Sequence, residues 1–284
     1  MEPDAKIGLG EHIAYGVGNA ANDISGTMIG SYILIYYTMV LGVDALLATS
    51  ILAVSRIMDG FSDLIMGRLI DRTNTRIGKA KPWYFRFILP TFISMILVFN
   101  VPQDMGKTAQ IIYMFLTYNL VTTVCGTALG ISFTSLNGLM TTNQISRGRN
   151  GVVARIFSLF TGIFASNTIF RFARFFGDGD EYSQRGWGIA IIVYAVIFAG
   201  LALIHHFFTH ERVDQATNED DIADKTLCSV TGEKISIGRS FLSLITNKFW
   251  VITLIVCVLI SILLTINSTM AVYFAQYIMN NLDA

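Results

Sequence analysis

The sequence predicts an all-α integral membrane protein, and three observations carry that expectation. The chain of 284 residues is 53% hydrophobic and only 14% charged, whereas soluble domains carry about a quarter charged residues. Mean hydropathy is +0.55. Seven apolar segments are each long enough to cross a hydrocarbon core of about 30 Å, which takes about 20 helical residues.

Segment 1, over 12–41, is apolar throughout and carries Gly16, Gly18, Gly26 and Gly30, with Tyr32, Tyr36 and Tyr37 toward its end. Small residues at such spacings let helices approach closely or leave room beside a pocket. The tyrosines can serve as packing or interfacial residues, or stack on a sugar ring. Segment 2, over 45–70, is apolar except for one charged stripe. Segments 3 and 4, over 84–101 and 109–138, follow; the fourth repeats the glycine pattern at Gly126, Gly130 and Gly138. Segments 5 and 6 cover 151–174 and 187–208, and segment 7 covers 247–279. Between the last two lies a long polar stretch, roughly 210–240, with Glu219, Asp220, Asp221, Asp224, Lys225 and Lys234, expected to be a solvated linker. The expected organisation is a six-helix bundle over 1–208, a cytoplasmic loop over 209–246 that links two bundles, and one further helix over 247–284.

Basic residues set the expected orientation. Arg68, Arg72, Arg76, Lys79, Lys81 and Arg86 surround the loop between segments 2 and 3, whereas the preceding loop holds only Asp44. Cytoplasmic loops carry the excess of lysine and arginine, so the N-terminus is expected in the cytoplasm of a multi-pass plasma-membrane protein. Arg147 and Arg149 agree; Arg171, Arg174 and Arg185, on the loop expected outside, run against the rule.

The charged stripe of segment 2 is Arg56, Asp59 and Asp63, spaced i, i+3, i+7 on one helix face. An aspartate at the bilayer centre costs roughly 2.5 to 3.5 kcal/mol on the insertion scale, so such residues face a cavity, a partner or an ion. Two acids against one base leave a surplus negative charge, which points to a cation-coupling site. Counting rises from the segment ends puts Asp23 and Asp59 at one level near the midplane, and Asp63 level with Thr127, each roughly 27 Å from its outer end. Hard cations take oxygen ligands, so a carboxylate pair and a hydroxyl suit a small monovalent cation. The plainer alternatives are pairing of the acids with Arg56, of Asp23 with Asn19 or Asn22, and back-bonding of Thr127 to its own helix.

Other chemistries find little support. Net charge is zero, which argues against a nucleic-acid partner, and no phosphate-binding G-x-x-x-x-G-K-[ST] pattern is present. Cys125, Cys228 and Cys257 are isolated, suggesting small buried residues and neither a disulfide framework nor a metal cluster. His12, His205, His206 and His210 fall near the expected membrane faces, away from the carboxylates, and His205 and His206 read as interfacial residues. No pore-lining repeat suggests a channel.

The run Arg56-Ile-Met-Asp59-Gly-Phe-Ser62-Asp63-Leu-Ile-Met-Gly67, leading into Asp71-Arg72-Thr-Asn-Thr-Arg76-Ile-Gly78-Lys79-Ala-Lys81-Pro82-Trp83, resembles the second-helix signature of the glycoside/pentoside/hexuronide cation symporters. This is the melibiose permease group of the major facilitator superfamily. Tyr15-Gly16-Val-Gly18-Asn19-Ala-Ala-Asn22-Asp23 agrees with its first helix, and the resemblance extends from about residue 12 to the end.

The resemblance implies that Asp59, Asp63 and Thr127 bind the coupling sodium, lithium or proton, with Ser62 standing where the group has an asparagine. It implies that Asp23 accepts hydrogen bonds from sugar hydroxyls and that Arg155 lies near the sugar. Asp71, Arg72, Arg76 and Lys79 resemble the cytoplasmic motif that holds the two bundles together in one state. In the substrate region Asn22 replaces a lysine, and Gly130 and Thr134 stand in place of an aspartate and a stacking tryptophan. Melibiose is therefore not the expected cargo; a β-glucuronide, xyloside, hexuronate or other glycoside is. The group has two six-helix bundles in a parallel repeat, and Tyr273, Phe274, Gln276 and Tyr277 of segment 7 echo segment 1, which places it as the first helix of an incomplete second bundle. The chain is thus expected to be a fragment of a cation-coupled symporter, monomeric when full length, with no cofactor beyond the coupling ion and no enzymatic activity. The alternative is a transport-inactive membrane sensor or interaction protein that keeps the fold.

Overall fold

The computed structural model describes residues 7–73, 75, 77–213 and 246–277, with side chains described up to 260 and at 262 and 263 in the last helix. It divides into two units, Met1–Asp220 and Asp221–Ala284. Arg76 and most of the polar stretch between the units lie outside the described residues, as do the side chains that echo segment 1.

The first unit is six helices, with no strand among the described residues. Helix α1 starts as Leu9–Thr27 and continues through a π-helical turn at Met28–Tyr32, a short α-helical piece at Ile33–Ile35 and a second π-helical turn at Tyr36–Val40. Helix α2 is Ala45–Arg72 and α3 is Lys81–Val98. Helix α4 comprises Lys107–Asn119, a π-helical stretch at Leu120–Gly126 and Thr127–Met140. Helices α5 and α6 are Gln144–Phe176 and Gln184–Phe208. In the second unit Lys248–Tyr277 forms α7. Every expected segment is thus a helix, and α2, α4, α5 and α6 are long and apolar enough to cross a membrane. The chain is a multi-pass membrane protein.

Local chemistry sets the helix starts. Asp44 accepts from the Leu46 and Leu47 amides at 3.0 and 3.2 Å, and Asn143 does the same for Ile145 and Ser146 at 3.0 and 3.1 Å, each satisfying donors that an α-helix leaves unpaired. Helix α3 begins after Ala80, which has no capping side chain. Its cap comes from far away in the chain: the buried Glu211 accepts from the backbone amides of Lys79, Ala80 and Lys81 at 2.8, 3.0 and 2.6 Å. Gly78 has φ +123° there, and a Cβ would run into the Glu211 carboxylate, so both backbone angle and space call for glycine. Next to it, Arg212 pairs with both oxygens of Glu11 at 2.9 and 2.8 Å, and its amide donates to the Leu139 carbonyl at 2.9 Å. The expected solvated linker therefore opens with a segment clamped to the bundle. Its charges belong to helix capping and a bidentate ion pair.

Packing separates two classes of glycine. Helix α1 lies mainly against α5 and α6. A Cβ at Gly16 would sit 2.6 Å from the Phe157 ring, and one at Gly18 would enter the ring of His205. His205 is fully buried beside Tyr84 and Phe133, with Nδ1 3.0 Å from the Ala14 carbonyl. His12 is buried as well, 2.6 Å from Asn150 Oδ1. Both histidines are core residues, which for His205 corrects the interfacial expectation; glycine at 18 opens the space that admits the His205 ring. By contrast, Gly26, Gly30 and Gly130 face open space.

The tyrosines of α1 also go to packing. Tyr36 and Tyr37 are fully buried, Tyr36 lies 5.1 Å from the Phe99 ring and 5.9 Å from Trp187, and Tyr32 meets Phe170 and Trp187. Stacking on a sugar ring is excluded for Tyr36 and Tyr37 in this arrangement. Cys125 is buried as a small core residue, Cys257 is exposed on α7, and Cys228 lies outside the described residues.

Gly18→Ala should lower the thermal unfolding midpoint of the detergent-solubilised protein, by an overpacking cost of about 1 to 3 kcal/mol. Gly130→Ala, placed in open space, should leave the midpoint unchanged or raise it, since alanine is favoured over glycine in a helix by about 1 kcal/mol.

Candidate cation and substrate site

The register between α2 and α4 builds the site. Asn119 Nδ2 donates to Ser55 Oγ at 2.9 Å, Thr123 Oγ1 to Asp59 Oδ1 at 2.6 Å, and Thr127 Oγ1 to Asp63 Oδ1 at 3.0 Å. Each partner lies 64 residues beyond the other and each step is four residues, so the two helices run parallel and meet in three successive polar rungs. Polar residues so spaced share a helix face. Ser62 joins the lowest rung, 2.9 Å from Thr127 Oγ1, while donating to the Asp59 carbonyl at 2.9 Å. Thr127 therefore bonds across helices, and the back-bonding alternative does not hold.

Asp59, Asp63 and Thr127 line one cavity of about 540 Å³ together with Asn22, Arg56, Gly130 and Thr134. Its other walls include Gly26 and Gly30, the positions where α1 leaves open space. Arg56 Nη1 is 3.6 Å from Asp59 Oδ2, with the arginine side chain 67% exposed. That single long contact reaches one oxygen of Asp59 and leaves Asp63 without a basic partner among the described ion pairs. Two carboxylates and the hydroxyls of Thr127 and Ser62 then offer oxygen atoms on one stretch of α2 and α4, a donor set that fits a small hard cation.

Two expected substrate residues lie apart from this cavity. Asp23 Oδ2 accepts from Asn19 at 2.8 Å and from Ser158 of α5 at 2.5 Å. Arg155 and Ser158 line a separate recess on α5 with Ser166 and Asn167. Asp23 is thus tied to α5 and its neighbour Asn22 reaches the cavity with the α2 carboxylates. In the loop motif, Asp71 and Arg72 are exposed in the last turn of α2, and the Lys79 amide is held by Glu211. Among the described residues no group of three or more histidines, cysteines or acids is placed to hold a metal; oxygen from threonine and serine makes up the set here.

The sequence reading missed Ser55, Asn119, Thr123 and Ser158. A signal for the first three was present: Asn119, Thr123 and Thr127 repeat at intervals of four in an apolar segment, as Ser55, Asp59 and Asp63 do.

Comparison with known proteins bears on the family. The chain is 26% identical over 271 residues to the isoprimeverose transporter of Lactiplantibacillus pentosus, covering 95% of this chain and 53% of that protein. It is 26% identical over 274 residues to the uncharacterized symporter YnaJ of Bacillus subtilis, covering 96% and 56%. To the glucuronide carrier protein homolog of Escherichia coli it is 35% identical over 144 residues, covering 51% and 31%. The chain spans about half the length of the first two. Residues 14–284 match the family described as MFS/sugar transport protein, and the chain belongs to that family of the major facilitator superfamily, in its melibiose permease-like branch.

Proposed function

We propose that this protein supplies the cation site and half of the cargo pathway of a secondary active transporter that moves a sugar or glycoside together with sodium or a proton. The observation that carries the reading is the α2–α4 ladder, which presents Asp59 and Asp63 to one cavity with hydroxyl partners and no full counter-charge. Relatives named for isoprimeverose and glucuronide transport support a glycoside, pentoside or hexuronide as cargo. Asn22, Gly130 and Thr134 share the cavity with the carboxylates, so cargo there would feel the cation's charge directly. Asp23 and Arg155 would meet it from the α5 side.

In this reading a cation between Asp59 and Asp63 removes their mutual repulsion and draws α2 and α4 together, which raises cargo affinity; by linkage the cargo raises cation affinity by the same factor. Alternating access follows from rocking one bundle against the other. The N-terminus lies in the cytoplasm, the protein sits in the plasma membrane, and Asp71, Arg72, Arg76 and Lys79 form the cytoplasmic motif. Arg171, Arg174 and Arg185, on the loop that this orientation places outside, run against it, since the rule counts bases and not net charge.

Binding of labelled glucuronides, xylosides and hexuronates to the purified chain in nanodiscs should strengthen with added sodium or with acid for one of these cargo classes. Asp59→Asn should abolish that cation dependence and leave weaker cargo binding in place. Cargo binding that is identical with and without cation would favour the transport-inactive sensor. Cysteines placed at Arg147 and at Asp104 should be labelled by an impermeant maleimide from the inside and the outside respectively; the reverse pattern would invert the topology.

A further inference from the structure

Thr123 has a position that the carboxylate pair alone does not require. Its hydroxyl donates to Asp59 Oδ1 at 2.6 Å, yet Thr123 is not part of the cavity wall. It therefore holds Asp59 from behind. The single proton of the Thr123 hydroxyl goes to Asp59; Asn119 Oδ1, 3.2 Å from the Thr123 oxygen, is the longer and competing acceptor, and Asn119 itself donates to Ser55 Oγ at 2.9 Å and to the Phe115 carbonyl at 2.8 Å. Ser55 is fully buried and donates to the Ile51 carbonyl at 2.9 Å. The neighbouring Thr122 hydroxyl, 3.5 Å from that of Thr123, is turned to the Tyr118 carbonyl at 2.9 Å.

On the opposite side of the same carboxylate stands Arg56, one turn earlier on α2 and also in the cavity wall. Its 3.6 Å approach to Asp59 Oδ2 is far from the bidentate geometry that arginine and carboxylate adopt when both are free to align. A carboxylate whose Oδ1 is tied to Thr123 cannot turn both oxygens to the guanidinium.

We propose that Thr123 is a positioning residue of the cation site that keeps Asp59 from being claimed by Arg56. The inference rests on the cation-site reading of Asp59 and Asp63. An arginine on the same helix is an internal competitor for any soluble cation, always present and always charged. Thr123 tips that competition by fixing the carboxylate in the orientation that faces the cavity and leaves the arginine pairing incomplete. Selectivity for a bound cation over the protein's own guanidinium then depends on a hydroxyl that touches neither.

Equilibrium binding of ²²Na⁺ to the purified chain in nanodiscs tests this. Thr123→Val should weaken binding about tenfold, the scale of a lost hydrogen bond to a charged group. Thr123→Ser, which keeps the hydroxyl, should stay within about twofold of wild type on the same scale. The decisive arm is the double variant Thr123→Val with Arg56→Gln, which should recover most of the lost affinity because the competitor is gone. A purely structural role for Thr123 predicts no such recovery. Unchanged binding in Thr123→Val, or a loss that Arg56→Gln does not restore, overturns the proposal while leaving the carboxylate site intact. Binding that survives Asp59→Asn overturns the cation-site reading itself, and wild-type protein that binds no sodium overturns the positioning role.

Discussion

An aspartate in an apolar helix must find donors or a cation, because its desolvation is costly and water is not there to replace them. Asp59 and Asp63 impose that demand twice within one turn of α2, and the rest of the bundle answers it. Helix α4 runs parallel to α2 so that Thr123 and Thr127 meet the two carboxylates in the same order. One hydroxyl each is enough to hold an anion in place and too little to neutralise it. The remaining negative charge faces a cavity that the glycines of α1 and α4 keep open. The site is thus unfinished in electrostatic terms, and the proposed role for it is to be completed by a soluble cation.

The same economy of backbone and side chain shapes the end of the bundle where α3 begins. Glu211 caps α3, Arg212 pairs with Glu11 at the start of α1, and Lys81 Nζ donates to the Thr209 carbonyl at 2.6 Å. The segment leaving α6 therefore ties together α1, α3, the end of α4 and the loop that follows α2. Any rearrangement of that loop must be felt by the first residues of the connection to the second unit. Rigidity here contrasts with the open wall around Gly26, Gly30 and Gly130, so the fold places packing and vacancy at different levels of the same helices.

Much of this was legible in the sequence because the membrane simplifies the problem. Seven apolar runs became seven helices, and the charged stripe of α2 was conspicuous against its surroundings. Level counting brought Asp63 and Thr127 together even though the π-helical stretch Leu120–Gly126 departs from the regular α-helical rise that the count assumes. Polar residues of ordinary frequency were harder to read. Thr123, Asn119 and Ser158 look like any hydroxyl or amide on a membrane helix, and only their register against a partner gives them a role. His205 was misplaced, and the tyrosines of α1 were left open between packing, interface and sugar stacking, because an amphipathic ring near a helix end fits an interface as well as a core, and the sequence does not record which helix covers it. Glu211 was hidden in a charged run whose remainder gives no hint that its first members belong to the bundle.

The central claim is that Asp59 and Asp63 form one cation site with Thr127 and without Arg56. Thallium(I) scatters X-rays anomalously and stands in for a monovalent cation, so crystals of the protein soaked in a thallium salt would locate the site directly. The account predicts one strong anomalous peak in the cavity, within ligating reach of both carboxylates and of the Thr127 hydroxyl. A cavity without a peak, with the Arg56 guanidinium seated between the two aspartates, would contradict it.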